Sequence, residues 1–187
     1  MLEAIPAPVG NWETRASLMA EQPGCAWDRV TNYLERACVE ENVPDWPTAL
    51  IARPLGYLRS ASMWWTDAEV NNGGLSQYFF NSTNAIVWHA IAGYERIGQT
   101  RMAEILRSAV FVCREENPEL LRVAVPRRAL DGFVPLASDL DSLDKLYYEE
   151  LSRLPVANGT ENDCYLNGTV EYYWNAFPED FGEQTGT

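Results

Sequence analysis

Apolar side chains recur three and four residues apart along most of the chain, which is the spacing of an amphipathic helix buried on one face. Trp27, Val30, Leu34, Ala37 and Cys38 predict a helix over 26–41. Leu55, Leu58, Ser62 and Trp65 predict a second from Pro54, whose fixed φ suits a first helical turn, to about residue 71. Ile86, Ala90, Gly93, Tyr94 and Ile97 share a face behind the capping run Asn81-Ser82-Thr83-Asn84. The clearest stripe is Met102, Ile105, Leu106, Ala109, Val110 and Cys113, with Thr100 as its expected N-cap. Leu140, Leu143, Leu146, Tyr147, Leu151 and Leu154 predict another helix from about Ser138, and 165–177 a last short one.

The punctuation fits this reading. Asn71-Asn72-Gly73-Gly74 predicts a helix stop, because Gly and Asn tolerate the left-handed backbone that closes a last turn. The apolar run 75–80 beyond it is short enough to be strand or helix on pattern alone. Residues 1–24 hold three prolines and few apolar repeats, and read as an irregular arm; 182–187 read as a frayed tail. No alternation of strands and helices is present, so the expectation is an all-α fold, one compact multi-helix domain over 25–181.

Composition sharpens the picture in one respect. The 187 residues are 47% hydrophobic with seven Trp, enough for a core without staples. The 27 acids against 14 bases give a net charge of −13, a sign that repels nucleic acid and anionic membrane and attracts basic proteins. Residues 139–187 carry −9 of that total. Two acidic groups, Glu115, Glu116 and Glu119 after one helix and Glu35, Glu40, Glu41 and Asp45 after another, sit at C-terminal ends where they oppose the helix dipole. Local helix stability does not account for them. Solubility alone would account for any single cluster.

Catalytic and metal motifs are missing from the sequence. His89 is the sole histidine, the four cysteines form no C-x-x-C pair, and no nucleotide-binding glycine motif occurs. Cys113 lies on an apolar stripe, which predicts burial rather than reactivity. No cofactor and no metal are expected. The N-terminal residues lack a basic, apolar leader and no stretch has the length of a membrane span, so the expected location is cytoplasmic.

The most distinctive block is Glu69-Val70-Asn71-Asn72-Gly73-Gly74-Leu75-Ser76-Gln77-Tyr78-Phe79-Phe80-Asn81-Ser82. Read from its residues, it is a helix stop whose Glu69, Gln77 and Asn81 are placed to bond exposed backbone groups. The block resembles the signature of the bacterial DNA-mimic-protein family, with Leu75 where an aromatic is usual. Weaker likeness extends over residues 50–181. The resemblance implies an all-α fold, a homodimer, and an acidic surface that occupies the DNA-binding face of a transcription regulator. In that reading Glu69, Asn71, Asn72, Gly73, Gly74, Gln77 and Asn81 maintain the fold. The phosphate surrogates would be Glu115, Glu116, Glu119, Asp139, Asp141, Asp144, Glu149 and Glu150. Two other readings remain open at this point: an immunity-type interaction module, and an enzyme built on residues 69–81.

Overall fold

Residues 15–21, 25–40, 53–81, 85–116, 139–153 and 165–182 are described from a computed structural model. They form α1 (Arg15–Glu21), α2 (Ala26–Glu40), α3 (Leu55–Asn81), α4 (Ala85–Arg96), α5 (Thr100–Glu116), α6 (Asp139–Leu151) and α7 (Tyr165–Ala176), followed by a 3-10 turn, Pro178–Phe181. No strand occurs among the described residues. The fold is all-α, as the periodicity predicts.

The chain divides into two compact units, residues 1–61 with 157–187, and residues 62–156. In the first, α2 packs on α7, and α1 packs on α2. Its core is aromatic: Phe181 meets Trp174 at 4.7 Å and Tyr57 at 5.3 Å between ring centroids. Edge-on and tilted pairs of this kind add to the burial of large rings. Gly56 is where the 3-10 turn comes closest to α3. A Cβ there would fall 2.8 Å from the Asp180 carbonyl oxygen and the Phe181 ring. The turn is fastened by Arg59, which donates to Asp180 at 3.1 Å, while the Tyr173 hydroxyl donates to the same carboxylate at 2.6 Å. Glu171 of α7 accepts the Ala26 N–H at 2.7 Å, satisfying one of the open donors at the start of α2.

In the second unit α5 lies against both α4 and α6. The stripes predicted for α4 and α5 are buried throughout: Ile86, Ala90, Tyr94 and Ile97 on one, Met102, Ile105, Leu106, Ala109, Val110 and Cys113 on the other. Gly98, at φ +79°, ends α4. The Gln99 N–H reaches the Tyr94 carbonyl at 2.8 Å and the Gly98 N–H the Glu95 carbonyl at 3.0 Å, which is the Schellman arrangement.

Three details differ from the sequence expectation. The arm expected to be irregular contains α1, because Leu18 has a core to enter. Thr100 is the first helical residue and is exposed, and the Gln99 carbonyl takes the Ala103 N–H in its place. The stop at residues 71–74 is a kink. Helix resumes at once and runs to Asn81, so 75–80 is not a strand. Leu154 and the tail beyond Gly182 lie outside the described residues.

The kink is made by Gly74, at φ +77° and ψ 179°, a backbone region essentially confined to glycine. A Cβ there would also fall 2.6 Å from Asp144 Oδ2. Gly98 has a positive φ but open space around it. Gly74→Ala should therefore cost roughly 1–3 kcal/mol plus the displacement of Asp144, and Gly98→Ala only about 1–2 kcal/mol. Urea midpoints should fall in the order wild type, Gly98→Ala, Gly74→Ala.

Candidate functional site

The sequence Trp64-Trp65-Thr66-Asp67 places a carboxylate on the face of α3 that α4 and α6 cover. Asp67 is fully buried. Its Oδ1 accepts the Tyr94 hydroxyl of α4 at 2.5 Å and also the Tyr147 hydroxyl of α6. Among the described residues its Oδ2 has no partner. Burial pushes this carboxyl up to about 7, against the pull of the two tyrosine bonds. Desolvation wins because no cation stands among the groups that shift it. Burial, and then the charge of Asp67, hold the Tyr94 and Tyr147 hydroxyls well above their ordinary range, so both stay protonated donors. Beside them, Thr66 donates to the Ser62 carbonyl at 2.7 Å and pairs with the Tyr78 hydroxyl at 3.1 Å.

A carboxyl titrating near neutrality between two tyrosines has the makings of an acid–base site. Access decides against that use. Asp67, Tyr94 and Tyr147 are each 0% exposed, and Tyr78 is 1% exposed, so no substrate reaches the reactive oxygens in this conformation. The cluster joins α3, α4 and α6. Sequence reasoning passed over it: Tyr94 and Tyr147 counted as apolar stripe positions, and one acid among 27 carries no signal.

The signature residues gather around the kink. Glu69 Oε2 accepts from Gln77 Nε2 at 3.2 Å and from Asn81 Nδ2 at 2.9 Å, tying the two arms of the kinked helix together. Asn71 Nδ2 donates to the Asp67 carbonyl at 2.6 Å, and Asn71, Asn72 and Gly73 are all exposed. A Cβ on Gly73 would collide with the Gln77 amide. The Leu75 N–H, left open by the break, is taken at 2.7 Å by Asp144 of α6. A carboxylate at that point also faces the positive end of the resumed helix. One turn further along α6, the Tyr148 hydroxyl donates to the Val70 carbonyl at 2.6 Å.

The expected phosphate surrogates divide by environment. Asp141 and Glu149 are exposed on α6, with the exposed Lys145 between them in sequence. Asp144 is engaged at the kink; its carboxyl is pushed up by burial, then drawn down by the Leu75 N–H, with the Asp141 charge adding a smaller upward push. Glu150 is 9% exposed and pairs with Arg153 at 3.1 Å. Glu115, Glu116 and Asp139 belong to α5 and α6, but their side chains lie outside the described residues, as does Glu119 altogether.

Two further features lie on this unit. An open groove of about 580 Å³ runs between α5 and α6, lined by Arg107, Ser108, Phe111, Val112, Ser142 and Leu143. Phe111 is 65% exposed in it. Among the described residues no cluster of His, Cys, Asp and Glu is arranged to hold a metal ion, and no helix is long and apolar enough to cross a membrane. His89 is half-buried on α4 and Cys113 is buried on α5.

A family model described as DMP19-like protein matches residues 54–166. The match spans α3 to α6 and includes the whole block around the kink. No curated protein and no solved structure matches the chain.

The tyrosine bonds to Asp67 set a pH-dependent expectation. Tyr147→Phe removes a donor that favours the ionised carboxylate, so the Asp67 titration should move further up. At pH 8.5, with Asp67 ionised, the variant should lose about 1.5–3 kcal/mol, as for a bond to a charged group. At pH 5, where the bond is between neutral groups, the loss should be about 0.5–1.5 kcal/mol. Urea unfolding at the two pH values measures both.

Proposed function

The chain belongs to the DMP19-like family, and on that footing we propose that it is a non-enzymatic acidic protein that binds a basic DNA-binding protein in the place of DNA. The family match carries this reading. The net charge of −13 supports it, because duplex DNA is recognised largely through Lys and Arg aimed at phosphate. The groups an enzyme would need at residues 69–81 are spent on one another and on backbone, which weighs against the catalytic alternative.

On the geometry of α6, Asp141 and Glu149 are the outward surrogates, about 12 Å apart along the axis at 1.5 Å per residue. Lys145 lies between them in sequence and offsets part of their field, so α6 alone is not a phosphate row. Glu115, Glu116, Glu119 and Asp139 are needed to extend it, and a second copy of the chain would lengthen it further. Asp144 and Glu150 serve the fold instead, one at the kink and one against Arg153.

The test is a pulldown from the native cell at low salt, eluted with duplex DNA. Captured DNA-binding proteins should release as salt rises from about 50 to 200 mM, as expected for several phosphate-type contacts. Duplex should displace them, and Asp141→Asn with Glu149→Gln should weaken capture without loss of fold. Salt-insensitive binding, or a ternary complex with DNA, would overturn the reading.

A further inference from the structure

Three side chains on one face of α6 reach α3 around its kink. Asp144 takes the Leu75 N–H, Tyr147 donates to Asp67, and Tyr148 donates to the Val70 carbonyl. They stand at i, i+3 and i+4, so they lie on one side of the helix. Leu140 and Leu151 share that side of α6 and are buried, and the helix also lies along α5. Three hydrogen bonds thus cross the seam between α6 and α3, and one of them ends on a buried titratable group.

That group is poorly served when ionised. The groups facing Asp67 are Tyr94 from α4, Tyr147 from α6, and Tyr78 with Thr66 from α3 itself. None is a cation. Both hydroxyls converge on Oδ1 and leave Oδ2 without a partner among the described residues. Among the described residues, the further charges that act on groups of the seam are carboxylates, Glu69 on Tyr78 and Asp141 on Asp144, while Lys145 of α6 is exposed. An anion here gains solvation only if water enters, and the kink at Gly74 supplies a break in α3 at the point where α6 is fastened.

We propose that the seam between α3 and α6 is a pH-operated joint, in which α6 is firmly seated while Asp67 keeps its proton and loosens when that carboxyl ionises. This goes beyond the DNA-mimic reading and stands whether or not that reading holds. The sign follows from linkage. The folded carboxyl titrates at about 7, above the ordinary value for an exposed Asp, so its contribution to seating is complete below about pH 4 and is lost as pH rises through 7.

Hydrogen–deuterium exchange of the full chain tests this, with each amide normalised to its intrinsic rate at that pH. Protection of α6 amides should fall about tenfold per pH unit between roughly pH 5 and 7 and then level off, the course expected for one linked proton. Amides of α5 should hold their protection. In Asp67→Asn the α6 profile should be flat with pH. Should that variant not fold, the carboxyl ¹³C shift of Asp67 in the wild-type chain should titrate near 7, and higher in Tyr147→Phe. An Asp67 midpoint below about 5, parallel loss from α5, or a pH-flat α6 in the wild type would each overturn the proposal, as would an unchanged profile in Asp67→Asn.

Discussion

The second unit depends on the burial of one carboxylate with no cation to answer it. Asp67 receives a hydroxyl from α4 and another from α6, and these bonds bring three helices to a common point. An apolar residue would pack there without fixing direction. A carboxyl demands donors at a set geometry, and two tyrosines long enough to span the space supply them. The bond distance to Tyr94, 2.5 Å, is in the range of charge-assisted O–H···O⁻ bonds. Such an arrangement fixes how α4 and α6 sit on α3, and its cost is a carboxyl that is easily unsettled by ionisation.

The helices were legible in the sequence because burial on one face leaves a period of 3.6 residues. The α5 stripe from Met102 to Cys113 is buried at each position the spacing selects. Gly98 was legible as punctuation, since a left-handed residue after a helix is nearly always glycine. Gly73 and Gly74 carry the same letters and do something different. What distinguishes them is Asp144, 69 residues away from the Leu75 N–H it accepts, and a capping group that distant leaves no local pattern. Tyr94 and Tyr147 were hidden for another reason. A tyrosine on an apolar stripe looks like a ring to be buried, and only the partner shows that its hydroxyl is the working part. Helix α1 was missed because its stripe is a single residue, Leu18, in a stretch punctuated by Pro6, Pro8 and Pro23.

The acids, similarly, are not one population. Asp67 is sealed, Asp144 and Glu150 are engaged in the fold, Glu69 ties the arms of the kink, and Asp141 and Glu149 face water. A net charge sums all of these, although they stand in different surroundings. The family match spans the helices that hold the internal acids in place and also takes in seven of the eleven acids of residues 139–187.

The kink has a consequence for how the chain is made. Residues 75–81 leave the ribosome well before the Asp144 carboxylate that caps them. At synthesis rates of about 5–20 residues per second, the wait is roughly 3–14 s. Seven residues with an open first turn do not hold a helix in water, because nucleation outweighs the few bonds formed. The nascent segment, with Leu75, Tyr78 and Phe79 unburied, therefore waits as unformed apolar chain until α6 emerges. Until then it is open to chaperones and to aggregation.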